Sequence, residues 1–134
     1  METYNLKNDL KVFCKTVESF PNGIEATFKT LEKLLPDFQE RSFFGIFYLD
    51  EKGKMIYKAG ASEQLEGETE EYDCETFVLQ KGAYLSETIN NWRQKEGIIP
   101  ATFQKLGDAQ PDARTPGVEW YNDEDVMCML KIKE

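Results

Sequence analysis

Histidine is absent from this 134-residue chain. That removes the side chain that most often acts as a general base near neutral pH, and the commonest protein ligand for zinc and haem iron. Cysteine is scarce. Cys14, Cys74 and Cys128 are widely separated, form no C-x-x-C pair and are odd in number, which reads as reduced thiols rather than a disulfide framework. No strongly apolar run exceeds Phe43–Leu49, far too short for a membrane span. Residues 1–5 show no basic segment leading into an apolar one, so no secretory leader is expected. These absences point to a cytoplasmic protein with no membrane partner. Clusters of Lys and Arg are also missing: 25 acidic residues outweigh 16 basic ones, for a net charge of -9. Such a field repels a phosphate backbone, so direct nucleic-acid binding is not expected. There is no Gly-rich phosphate loop, and no carboxylate pair has the spacing of a metal or glycosidase site. No metal and no cofactor are expected.

Aromatic side chains are plentiful. Nine Phe, six Tyr and two Trp supply a core for one domain over residues 1–134 without disulfide staples, and leave some rings for a binding surface. A chain of this size buries roughly two-thirds of the surface its unfolded form exposes.

Hydrophobic periodicity predicts a strand over 11–20, stopped by Pro21-Asn22-Gly23. A helix follows, with Ile24, Phe28, Leu31 and Leu35 on one face, Asn22 and Glu25 as a capping box, and Pro36 as its end. Strands over 42–49 and 54–61 flank Asp50-Glu51-Lys52-Gly53, which is good hairpin chemistry. Residues 62–75 carry seven carboxylates and few apolar residues, and read as a solvated connector, with an acidic recognition loop as the alternative. Beyond it the order recurs: strand segments over 76–79 and 82–89, a helix around Ile99, Phe103 and Leu106 with Pro100 in its first turn and Gly107 as its stop, then strands over 118–121 and 126–132.

The order strand, helix, strand, strand thus occurs twice, and local matches support an internal repeat. Ala26-Thr27-Phe28 matches Ala101-Thr102-Phe103, and Pro36-Asp37 matches Pro111-Asp112 at the same offset. After a three-residue shortening Gly45-Ile46-Phe47-Tyr48 aligns with Gly117-Val118-Glu119-Trp120, and Met55 with Met127. The halves run over about 10–61 and 74–133, joined by the acidic connector 62–73. Their sharpest difference is Glu119 where the other copy has Phe47. Strand alternation puts Glu119 with Tyr121 on one face and Val118 with Trp120 on the other. Either the Glu119 face is open to solvent, or it lines a cleft in which the carboxylate awaits a cationic or hydrogen-bond-donating ligand.

Gly117-Val118-Glu119-Trp120-Tyr121, followed after a short turn by Cys128-Met129-Leu130, resembles the C-terminal signature of GyrI-like domains, the effector-binding modules of AraC-type and multidrug-sensing regulators. Pro21-Asn22-Gly23-Ile24, Phe44-Gly45-Ile46 and Lys81-Gly82-Ala83-Tyr84 agree with it, so the resemblance spans about residues 10–133. It implies an α+β fold in which two pseudo-two-fold strand-helix-strand-strand units join in a curved antiparallel sheet, with two helices closing a central cleft. It carries Glu119 into that cleft as the ligand anchor, and Tyr84 as a further contact. Phe47 joins them from the repeat, Tyr121 from strand parity, and Trp120 as a candidate whose parity also suits the core. Tyr48, Tyr57, Trp92 and Phe44 are weighed as cleft aromatics and read as core. Cys128 reads as a buried small hydrophobe.

The resemblance implies three functions. The leading one is a stand-alone module that senses or sequesters an apolar or cationic small molecule, in a chain too short for a helix-turn-helix domain. The second is a hydrolase of reactive cyclopropane-type molecules, with Glu119 as the catalytic group. The third is an inhibitor of a topoisomerase-type protein partner acting through the acidic connector. A homodimer is left open.

Overall fold

The computed structural model describes residues 1–18, 22–37, 40–109 and 116–132. Eight strands form one sheet: β1 (Glu2–Leu6), β2 (Leu10–Thr16), β3 (Phe43–Leu49), β4 (Met55–Ser62), β5 (Glu75–Leu79), β6 (Gly82–Ile89), β7 (Gly117–Asn122) and β8 (Asp125–Lys131). Helix α1 (Ile24–Leu34) joins β2 to β3, a single turn α2 (Glu68–Glu71) lies between β4 and β5, and α3 (Ile98–Ala109) joins β6 to β7. The fold is α+β, as expected.

The sheet order is β1-β6-β8-β7-β3-β4-β2-β5, and every neighbouring pair is antiparallel. This order is palindromic in the element order of the two halves. β3 and β7 meet at the centre, each flanked by its own hairpin partner, while β1 pairs with β6 and β5 with β2, so each half lends an edge strand to the other. At the centre Ile46 pairs with Val118, Gly45 with Glu119 and Phe47 with Gly117. The Gly45–Glu119 and Phe47–Gly117 pairs lie on either side of the Ile46–Val118 pair, a register compatible with the alignment of Phe47 with Glu119. Pro111-Asp112, half of another match, lies outside the described residues.

Alternation along the strands gives the sheet two apolar faces. One carries Val12, Phe44, Ile46, Leu79, Tyr84, Val118 and Met129 in a single cluster, with Tyr4 and Leu6 of β1 packed on it. Leu79 and Leu6 come from strands at opposite ends of the sheet order, so the sheet curls around this face. The other face carries the helices. α1 lays Ile24, Phe28 and Leu31, and the next residue after it, Leu35, against Phe13, Tyr57, Ala59 and Ala61. α3 lays Ile98, Ile99, Phe103 and Leu106 against Ile89, Val126, Cys128 and Leu130. Ala59 and Ala61 are fully buried beneath the α1 side chains, which form the apolar stripe of an amphipathic helix.

Several local expectations need correction. β2 ends at Thr16, and the rest of the strand predicted to reach residue 20 is either outside β2 or, for 19 and 20, outside the described residues. Gly23, not Asn22, is the residue before α1, and no side chain caps it; Thr27 instead bonds back to the Gly23 carbonyl at 2.9 Å. α3 continues through Gly107 to Ala109. β1 was not expected at all, because five residues with mixed polarity carry no clear period. The connector is solvated for most of its carboxylates, with Glu66, Glu70, Glu71, Asp73 and Glu75 exposed, but Glu68 is the exception at 4% exposed. Its carboxylate takes Arg41 Nη1 at 2.9 Å and Nη2 at 2.5 Å, and the backbone N–H groups of Gln64 and Leu65. Arg41 also donates to Asp37 and to the Ser62 carbonyl. A desolvated arginine thereby ties the start of β3 to the connector. No helix among the described residues is long and apolar enough to cross a membrane.

Candidate functional site

A cavity of about 660 Å³ opens between α1, α3 and the helix-bearing face of the sheet. Its floor is Phe47, Tyr57, Glu119 and Tyr121, from three adjacent strands. α3 supplies Ile99, Pro100, Phe103, Gln104, Gly107 and Asp108 as one wall, while Ile24, Met55 and Trp92 complete the rim.

Glu119 is 6% exposed, and its position follows from the strand register. It faces Gly45 on β3 and Cys128 on β8. Gly45 leaves a gap that the Tyr57 hydroxyl enters: a Cβ there would overlap both that hydroxyl and Glu119 Oε1. Two phenols donate to the same carboxylate oxygen, Tyr57 Oη to Oε1 at 2.5 Å and Tyr121 Oη to Oε1 at 2.6 Å. No described residue donates to Oε2, and no described Lys or Arg forms an ion pair with Glu119. Burial pushes the Glu119 carboxyl above the usual carboxylate range, and the two tyrosine hydrogen bonds oppose that only in part. Burial, reinforced by the adjacent Glu119, also raises both phenols, so they keep their protons and act as donors.

The position aligned with Glu119 in the sequence, Phe47, is built differently. Gly117 faces Phe47 and leaves room for its ring, which a Cβ would overlap. That ring meets Phe103 edge-on at 4.7 Å between centroids. Tyr121 is flanked by Trp92 at 5.3 Å and Phe28 at 5.7 Å. The cavity is therefore lopsided, with a carboxyl bracketed by two phenols on one side of the central pair and a stack of phenylalanines on the other.

Of the five candidate residues, the structure brings Glu119, Tyr121 and Phe47 together in the cavity wall. Tyr84 and Trp120 lie on the other face of the sheet. Tyr84 is 3% exposed and donates to the Gln80 carbonyl at 2.5 Å. Trp120 packs on Phe44 at 5.0 Å and Tyr4 at 6.0 Å, at the edge of a smaller depression bordered by the polar β1–β2 turn. Their even strand parity relative to Val118 and Met129 places them in the far-face core, so neither reaches the cavity. Tyr57, read as core, is a cavity residue whose phenol reaches the carboxylate. The hairpin register set by the Asp50–Gly53 turn pairs it with Phe47, a signal already present in the sequence. Trp92, also read as core, stands at the cavity rim, and Phe103, expected only on the buried face of its helix, lines the wall.

Cys14 and Cys128 are fully buried, and burial pushes both thiols up to about 12, so neither is a nucleophile near neutral pH. Among the described residues no group of three His, Cys, Asp or Glu side chains is placed to hold a metal ion.

No protein-family model and no curated protein sequence matches the chain. Solved structures do. SAV2435, solved bound to tetraphenylphosphonium, is similar over 98% of this chain and 93% of its own, with a TM-score of 0.68 and 14% identity. An uncharacterized conserved protein from Listeria innocua aligns over 98% of this chain and 91% of its own, with a TM-score of 0.57 at 8% identity. A hydrolase from the same organism aligns over the same shares with a TM-score of 0.56 at 9% identity. At such identities the likeness establishes the fold.

Proposed function

We propose that the chain is a single-domain, GyrI-like small-molecule-binding protein whose cavity takes an apolar cation, with Glu119 as its counter-charge. One observation carries this reading: a buried carboxyl with no described cationic partner lies in the floor of a largely apolar, aromatic-walled cavity. Such a group is costly to ionise in place unless a ligand brings the compensating charge. The rings of Phe47, Trp92, Phe103 and Tyr121 offer faces to a diffuse positive charge. The volume, about 660 Å³, lies within the range of drug-sized ligand sites. The ligand of SAV2435, a phosphonium wrapped in four phenyl groups, has the same chemistry. A sensor or a sequestering protein would each use such a site.

Isothermal titration with tetraphenylphosphonium tests the reading. Glu119→Gln keeps the shape and removes the charge, and should weaken binding by at least about tenfold, or 1.4 kcal/mol. Equal affinity in the variant would remove Glu119 from its role, and no binding of any lipophilic cation would remove the reading itself.

A second reading uses the same carboxyl. Once ionised, Oε2 is placed to accept a proton from a water entering the cavity, as a hydrolase of strained cyclopropane substrates would require. Turnover of such a substrate, lost in Glu119→Ala, would support it. The protein-inhibitor reading rests on the acidic connector, and there Glu63, Glu68 and Glu75 are engaged by Lys11, Arg41 and Lys58 of the same chain.

A further inference from the structure

The arrangement of donors around Glu119 assigns a proton as well as a ligand to the cavity. Both phenols donate to Oε1, and a carboxylic acid accepts two such bonds on its carbonyl oxygen while its hydroxyl oxygen stays free to donate. Oε2 is that free oxygen, and it belongs to a residue of the cavity floor. The bracket therefore fits the protonated carboxyl with Oε2–H available to the cavity, and it equally fits the carboxylate once a cation is present.

We propose that the cavity is a two-class site in which the protonated Glu119 takes neutral apolar molecules bearing a hydrogen-bond acceptor, and the ionised Glu119 takes apolar cations in exchange for its proton. This rests on the cavity reading above and extends it to a second ligand class. The exchange balances: the carboxyl plus a cation gives a carboxylate–cation pair and one proton, which leaves to solvent through the open cavity. Uptake of a neutral acceptor moves no proton, since Oε2–H simply donates to the ligand oxygen.

The surrounding groups leave Glu119 as the group that switches. Tyr57 on β4 and Tyr121 on β7 stay protonated, and Cys128 on β8 titrates only at about 12. Gly45 on β3 and Ile24 of α1 carry no titratable group. Asp108 on α3 stands at the exposed rim, and Arg93 lies over the outer Trp92 ring at 4.7 Å. The upward shift of Glu119 by burial puts the exchange above the ordinary carboxylate range.

The test uses two probes of similar shape, tetraphenylphosphonium and neutral triphenylphosphine oxide, titrated into the intact protein from pH 5 to 8.5. Below the carboxyl's pKa the phosphonium affinity should rise about tenfold per pH unit, with close to one proton released per ligand bound. The proton count is read from the binding enthalpy in buffers of different ionisation heat. Above that pKa the oxide affinity should fall with the opposite slope. Glu119→Gln, whose amide N–H imitates the protonated acid, should hold the oxide equally at all pH values and lose the phosphonium. Phosphonium binding without proton release, or no oxide binding at low pH, would overturn the exchange while leaving a cation site standing. Failure of both probes at every pH would overturn the cavity reading with it. The wild-type proton count needs no variant, so a poorly folding Glu119→Gln would not spare the proposal.

Discussion

Gly45→Ala is the substitution that most directly interrogates the floor of the cavity. Gly45 sits mid-strand without a left-handed φ, so alanine brings no backbone strain and the whole effect comes from the added methyl. That methyl would overlap the Tyr57 hydroxyl and Glu119 Oε1. The strand pairs on both sides, with β4 and with β7, so the backbone has little room to yield and the phenol must swing away. Overpacking of this kind costs about 1–3 kcal/mol. Loss of the Tyr57–Glu119 hydrogen bond adds about 1 kcal/mol, leaving Tyr121 as the donor to Oε1. A destabilisation of about 2–4 kcal/mol is expected, a midpoint drop on the order of 10 °C for a domain of this size. Urea titration followed by tryptophan fluorescence measures the first, and calorimetry the second. Tyr57→Phe removes one of the colliding atoms, the hydroxyl, while the overlap with Glu119 Oε1 remains, so the double variant should recover about 1 kcal/mol relative to the sum of the single changes. A Gly45→Ala protein within 0.5 kcal/mol of wild type, with additive behaviour against Tyr57→Phe, would refute the account of Glu119 as a carboxyl bracketed through the gap at Gly45.

The remaining expectations concern the frame around the cavity. Arg41→Ala leaves the Glu68 carboxylate buried without its cation, and should cost about 3–5 kcal/mol in urea titration; a loss below 1 kcal/mol would mean that the connector is not held by this pair. Hydrogen bonds from Arg41 hold the Glu68 carboxyl well below its ordinary value, at about 2. Its stabilising contribution is therefore complete above the unfolded value near 4.5 and lost as pH falls towards 2. Acid titrations of wild type and Glu68→Gln should diverge in that window, and parallel curves would contradict the assignment. Gly107→Ala lies inside α3, where an added Cβ meets nothing within 4 Å; it should stabilise by about 0.5–1 kcal/mol by helix propensity, and a destabilised variant would show that the helix needs the glycine there.

The amino-acid sequence by itself determined the elements whose apolar period is strong, and the faces on which their side chains lie. Ile24, Phe28, Leu31 and Leu35 define the buried side of α1 without any coordinates, and alternation alone separates Glu119 and Tyr121 from Val118 and Trp120. It also exposed the mismatch of Glu119 with Phe47, because an aligned pair of strands needs no third dimension. Tertiary structure decided what crosses between elements. β1 forms only because β6 offers it an edge, and Glu68 is buried only because Arg41, 27 residues earlier, reaches it. Tyr84, expected in the cleft, packs in the opposite core because its strand parity on β6 sets it on the Val118 and Met129 face. Glu119 gained its meaning in the same way. The sequence marks it as a carboxyl among aromatics, but two phenols on one oxygen and none on the other is a consequence of register across three strands. The turn at Asp50–Gly53 sets the register of β3 on β4, while that of β7 on β3 comes from pairing between residues about seventy positions apart.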